Sequence, residues 1–164
     1  MKATGIVRRI DELGRIVVPK EIRRILRIRE GDPLEIYTGS DGEVILKKYS
    51  PISELSHYAA EYAETAAGIL GASVLISDTD QVIAVSGGLK KEMVDKRIDR
   101  ELDNIIQSKN HFRNERKIIV PIISQGDAIG SIMVLPKDQG KTLGDAEFKA
   151  AEIGANFLAK QMES

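Results

Sequence analysis

Residues 3–18 of this 164-residue chain carry an alternation that a sheet standing alone cannot satisfy. Ala3–Ile10 has the β-branched content of a strand, and Arg15–Val18 reads as a second. Asp11-Glu12-Leu13-Gly14 joins them as a tight turn with glycine at the demanding position. Yet Ile6, Arg8 and Ile10 share one face of the first strand, while Val7, Arg9 and Asp11 share the other. Pro19 stops the second strand and opens a helix over Lys20–Arg27. Gly31-Asp32-Pro33 breaks that helix, and Leu34–Tyr37 and Val44–Lys47 pair around Ser40-Asp41-Gly42. The N-terminal unit is therefore ββαββ. A unit so short, in a chain with no cysteine for a disulfide or a thiolate metal site, buries too little surface to stand alone. Two half-apolar faces predict a sheet completed by a second copy of itself, an obligate homodimer.

Charge is divided as unevenly as hydrophobicity. The formal net charge of −1 suggests no polyanionic partner. Residues 1–29, however, hold nine basic groups against three acidic ones, a local +6, while residues 30–50 carry −3 and residues 51–164 carry −4. Seven of the nine are Arg, whose planar fork suits phosphate and guanine. The first turn brings Arg8 and Arg9 near Arg15. On the helix, Ile22, Ile25 and Leu26 share one face, and Lys20, Arg23, Arg24 and Arg27 an arc opposite them. These seven residues are the candidate DNA-binding surface, presented twice in a two-fold dimer. The competing reading is a solvated basic face with Glu21 paired to Arg24 or Arg27, but one glutamate cannot neutralise the arc.

Tyr49-Ser50-Pro51 marks a boundary, giving domains at 1–50 and 51–164, with Ser50 as N-cap and Pro51 in the first turn of a long helix. Leu55, Tyr58, Ala59, Tyr62, Ala66, Ile69 and Leu70 form its apolar stripe, and Gly71 closes it. Hairpins at 73–85 and 117–135 flank a second helix at 91–108, on which Val94, Ile98, Leu102, Ile105 and Ile106 share a side. Thr142 and Asp145 have capping-box spacing before a last helix that runs to about Met162. The order αββαββα predicts an α+β domain on a mainly antiparallel sheet.

Enzymatic chemistry finds little footing. His57 and His111 are not at metal-ligand spacing, and no Gly-x-Ser-x-Gly elbow occurs. Gly140-Lys141-Thr142 echoes the end of a phosphate-binding loop, but Leu135 stands where the earlier glycine belongs. The expectation is a protein that is not an enzyme, with no catalytic residue, cofactor or metal site. Without a signal segment or a membrane span it is expected to be cytoplasmic.

The run Gly5-Ile-Val-Arg-Arg-Ile-Asp-Glu-Leu-Gly-Arg-Ile-Val-Val-Pro-Lys-Glu-Ile-Arg-Arg24 closely resembles the AbrB family of transition-state regulators. Gly31-Asp-Pro-Leu-Glu-Ile36 and Ile45-Leu-Lys-Lys-Tyr49 extend the likeness over nearly all of residues 1–50. Residues 51–164 resemble a GAF domain through Ser73–Asp78, Pro121–Ile132 and Ala155–Met162. The whole chain is thus similar to the sporulation regulators in which these two domains follow one another. The resemblance implies an N-terminal swapped-hairpin β-barrel dimer with a C-terminal GAF-like α/β sandwich. It implies double-stranded DNA as partner, late sporulation genes as targets, and activation at some promoters with repression at others. The family's DNA-contacting arginines match Arg8, Arg15, Arg23 and Arg24, with Arg9 standing where AbrB has Lys. GAF pairing through the 55–70 stripe would join two dimers into a homotetramer. An unidentified small-molecule ligand is the other partner such a module allows, although the chain between 108 and 117 is shorter than this family has over its pocket. AbrB-type folds also occur in antitoxins, whose tails wrap a protein partner. That is the alternative, and residues 51–164, patterned for a folded core, fit it less well.

Overall fold

A computed structural model of the chain describes residues 2–163; Met1 and Ser164, the outer ends of the two expected domains, lie outside the described residues. The chain divides into two units, Met1–Tyr49 and Ser50–Ser164.

In the first unit the helix and the second hairpin form as the residue pattern predicts. Pro19, buried, leads into α1 (Lys20–Leu26). The helix stops one residue short of the predicted end because Arg27 turns left-handed, at φ 56°. The Ile28 N–H then closes onto the Arg23 carbonyl at 2.8 Å, a Schellman ending usually made by glycine. β1 (Leu34–Thr38) and β2 (Val44–Lys48) pair antiparallel, Leu34 opposite Lys48 and Tyr37 opposite Ile45, across a turn in which Gly42 takes φ +82°. The predicted strands at 3–10 and 15–18 are not formed. Residues 2–18 contain the turn alone, and no backbone hydrogen bond joins residues 6–10 to 16–18 among those described. The physical reason is coverage: strand pairing needs an apolar layer behind it, and Val7 is 84% exposed and Ile10 71%.

The second unit holds a five-stranded antiparallel sheet in the order β4-β3-β7-β6-β5. The strands are β3 (Ala72–Ser77), β4 (Val82–Ser86), β5 (Phe112–Arg113), β6 (Ile118–Ser124) and β7 (Asp127–Pro136). Alternation sorts β6 onto two layers. Ile118, Val120 and Ile122 pack with α2 (Ser56–Leu70) and α4 (Asp145–Glu163), whereas Ile119 packs with Leu102 and Ile106 of α3 (Arg100–Ser108). The sheet therefore lies between a helix pair and a single short helix. At its centre Ser77 and Ser131 face each other across β3 and β7, their buried hydroxyls 2.7 Å apart, so neither polar group is stranded.

Four local expectations change here. The helix at 91–108 is a single 3-10 turn at Lys91–Met93 followed by extended chain, and α3 begins only at Arg100. Residues 95–98 instead lie along Asp80–Val82, at the entry to β4: the Val82 N–H reaches the Lys96 carbonyl at 2.9 Å and the Ile98 N–H the Asp80 carbonyl at 2.9 Å. Asp99 caps α3 by accepting from the Leu102 N–H at 2.8 Å. Ser50 does not cap with its side chain; Pro51–Leu55 is a 3-10 turn whose Ser53 N–H and hydroxyl both reach the Ser50 carbonyl. The start of α4 is capped through Gly144, whose N–H donates to Glu147 Oε2 at 2.9 Å, and not through Thr142 and Asp145. The apolar stripe of α2 is also rotated: Ala59, Ala63, Ala66 and Ala67 are buried, whereas Tyr58 is 47% and Ile69 81% exposed.

Candidate nucleic-acid interface

The turn at 11–15 is closed by five hydrogen bonds. The Asp11 N–H donates to the Arg15 carbonyl at 3.0 Å, and the Gly14 N–H to the Asp11 carbonyl at 3.0 Å. Asp11 Oδ1 accepts from the N–H groups of Leu13 (2.9 Å) and Arg15 (2.8 Å), and Oδ2 accepts from Arg15 Nε at 2.8 Å. Gly14 supplies the φ of +76° that the reversal needs. The Arg15 backbone N–H, and then its guanidinium, hold the Asp11 carboxyl below the usual carboxylate range. The Arg15 side chain itself is 72% exposed.

Arg23 is held in the same manner. Its Nε donates to the Val18 carbonyl at 3.1 Å, across the proline that starts α1. In both arginines the anchoring bond uses Nε, which leaves the two Nη groups, the part of the fork that grips phosphate or a guanine edge. Lys20 and Arg24 are exposed on α1, and Arg8 and Arg9 on the chain before the turn, with Arg8 Nη1 touching the Val7 carbonyl at 3.2 Å. Arg27 differs: it is half-buried at the helix end, and its carbonyl accepts from Lys48 Nζ at 2.9 Å. Glu21 makes no ion pair among the described residues, so it does not neutralise Lys20, Arg23 or Arg24 on α1. Beside these cations an apolar groove of about 260 Å³ is lined by Ile6, Ile16, Val18, Ile22, Leu26 and Leu46, with Arg8 also on its wall. The sequence marked Asp11 only as a turn former; its fourth-residue spacing to Arg15 was the available signal for a second role.

The second unit offers less chemistry. The Gly140-Lys141-Thr142 loop turns its carbonyls inward: Arg116 Nη1 takes those of Gln139 at 3.0 Å and Lys141 at 2.6 Å. A phosphate cradle needs converging N–H groups, the opposite polarity. His57 lies 3.3 Å from Glu61, and His111 packs on the Phe148 ring at 4.8 Å; both are exposed. A shallow cavity of about 160 Å³ beside His111 is bounded by Pro121, Ile123, Glu152 and Asn156. Among the described residues no three metal-ligating side chains cluster, and no helix is long and apolar enough to cross a membrane.

Comparison with known proteins matches each unit separately and the chain as a whole. Residues 54–163 match the family described as stage V sporulation protein T C-terminal, transcription factor. Residues 7–54 match antidote-toxin recognition MazE, bacterial antitoxin. Stage V sporulation protein T of Bacillus subtilis (strain 168) is 51% identical over 179 aligned positions, covering 99% of both chains. Transition state regulatory protein AbrB of the same organism is 63% identical over 51 residues, 31% of this chain and 52% of its own. Among solved structures, the second GAF domain of DevS from Mycobacterium smegmatis superposes with a TM-score of 0.57 at 12% identity, over 68% of this chain and 93% of its own. That likeness speaks to fold alone.

Proposed function

The chain belongs to the stage V sporulation protein T family and is a DNA-binding transcription regulator of sporulation, and on that premise we propose that its arginine-rich first unit is the DNA face. The contacts are assigned to Arg8, Arg9, Arg15, Lys20, Arg23, Arg24 and Arg27. The observation that carries the assignment is the shared anchoring of Arg15 and Arg23, each exposed and held at Nε by a bond that does not use its Nη groups. Arg27, half-buried at the helix end, ranks last among the seven.

The first unit acts as a swapped-hairpin dimer through residues 1–50, the second copy covering the groove lined by Ile16, Ile22 and Leu46. Residues 51–164 form the GAF-like domain, joining two dimers into a tetramer and offering a place for an unidentified ligand. No catalysis is assigned to either unit, and the site of action is the cytoplasm. Docking is electrostatic, with specificity drawn from DNA shape as well as base edges, so that late sporulation promoters are activated or repressed by where the tetramer sits.

Gel-shift titration over a range of salt tests the DNA face. Arg15→Ala or Arg23→Ala lowers affinity at least tenfold and flattens the slope of log affinity against log salt by about 0.9 per lost phosphate contact. Sedimentation shows the oligomer intact. Unchanged affinity in both variants overturns the assignment. An antitoxin-like role has the match at residues 7–54 in its favour; against it stands a second unit that is a folded sheet between helices and not an extended tail.

A further inference from the structure

A carboxylate at the centre of a surface built to meet phosphate is an electrostatic penalty. Residues 1–29 carry +6, yet Asp11 lies in direct contact with Arg15, one of the assigned DNA contacts. Its two oxygens divide the labour. Oδ1 takes two backbone N–H groups and makes the turn, which an asparagine does equally well. Oδ2 makes no backbone bond in the turn; among the described residues it accepts from Arg15 Nε alone, at 2.8 Å. Since Arg15 is also tied through its own N–H and carbonyl, the side chain leaves a fixed backbone and is fixed again at its fourth heavy atom, Nε.

We propose that Asp11 is a positioning residue for DNA recognition, holding the Arg15 guanidinium by Nε so that its Nη fork is aimed before DNA arrives. The proposal rests on the DNA-face reading of Arg15. An arginine that must be frozen on binding loses rotamer freedom at that moment, whereas one already held on the free protein loses less. Such an arrangement favours a target whose acceptors match the preset fork, such as N7 and O6 of guanine or a phosphate at a set register, over an arbitrary duplex. Asp11 thereby gives up general attraction and gains discrimination. Arg23, anchored on a neutral carbonyl, has the positioning without the penalty.

The two terms have opposite signs, and this makes the proposal testable. Asp11→Asn preserves the Oδ1 acceptor and removes the negative charge, but its amide nitrogen cannot accept from Nε. The measurement is fluorescence anisotropy on the full-length protein, with a duplex selected by the wild type and a scrambled duplex of equal length. The proteins are wild type, Asp11→Asn, Arg15→Ala and the double variant, with amide NMR signals of Leu13 and Gly14 confirming the turn. Asp11→Asn is expected to weaken the selected duplex five- to tenfold while binding the scrambled one as tightly or more tightly. On the Arg15→Ala background the same substitution weakens nothing. If Asp11→Asn tightens both duplexes alike, Asp11 is only a misplaced charge and the proposal is wrong. If it weakens binding equally with and without Arg15, or shifts the turn signals, its role is structural and the proposal again fails. If Arg15→Ala leaves the selected duplex unaffected, the DNA-face reading of Arg15 falls, which is a different result from either.

Discussion

The two units of this chain spend their apolar residues in opposite ways. Apart from Pro19, every buried apolar side chain among the described residues lies at or beyond Ile52, where the two core clusters form on either side of the five-stranded sheet. In the first unit Val7, Ile10, Ile16, Val17, Ile25, Ile36 and Val44 are all more than half exposed. One unit holds its own core; the other displays one. The difference teaches that apolar content does not by itself define a fold: a second unit folds on internal contacts, while the first has a helix, a hairpin and a turn whose apolar sides need a matching surface. The dimer proposed above supplies that surface and, on that reading, places the arginines of two chains on one face.

The sharpest way to break this comparison is a charge on the displayed core. An aspartate at an exposed position of a self-sufficient fold changes stability by about 0.5 kcal/mol or less. Val17 is 68% exposed in the single chain. In the full-length protein Val17→Asp is nevertheless expected to dissociate the first-unit dimer and reduce DNA affinity more than a hundredfold, because the charge is buried when the second copy docks. Sedimentation velocity and gel shift read both effects. A variant that stays assembled and binds normally shows that the first unit needs no second copy.

The second unit answers to ordinary core physics instead. Leu158 on α4 is fully buried among the alanines of α2 and the sheet. Leu158→Ala removes a side chain from a packed interior and is expected to cost about 2–5 kcal/mol in urea unfolding of this unit. Arg8–Arg24 lie in the other unit, so DNA affinity per folded molecule holds within about twofold. A loss below 1 kcal/mol contradicts the packed core.

What the sequence revealed follows the same division. Hairpins at 34–48, 72–86 and 118–136 were readable because apolar runs and turn residues are local signals. The first hairpin is predicted with two strands but only its turn forms in the single chain, since those strands depend on a surface that no local pattern contains. Val94 and Ile98 have helical spacing to Leu102, yet residues 95–98 run beside Asp80–Val82, because the backbone at the entry to β4 satisfies theirs and Asp99 offers a better cap. Arg27 ends α1 without the glycine that marks such endings, and Gly144, not the Thr142 that the Thr-x-x-Asp spacing predicts, caps α4. The cations assigned above to the proposed DNA face were legible as a cluster from charge and periodicity. Their anchoring was not, because Arg15 and Arg23 are fixed by a carboxylate and a carbonyl that only the folded backbone brings to Nε.

The finest test of the self-contained unit is one hydroxyl. Tyr62 on α2 donates to the Ala150 carbonyl of α4, with its ring packed where any side chain at Gly154 would sit. Tyr62→Phe keeps the ring and is expected to lose about 1 kcal/mol at neutral pH. Burial pushes the Tyr62 hydroxyl up from 10.0 to about 12. A group whose pKa is raised by folding contributes its stability fully below the unfolded value and loses it as pH rises through the folded one. The wild type should therefore weaken between about pH 10 and 12 as the unfolded tyrosine ionises and the folded one resists. Tyr62→Phe has no proton to lose and should show a flatter alkaline limb in urea midpoints, so the two proteins converge as pH rises. Parallel limbs would mean that Tyr62 is not the group linking α2–α4 packing to alkaline unfolding.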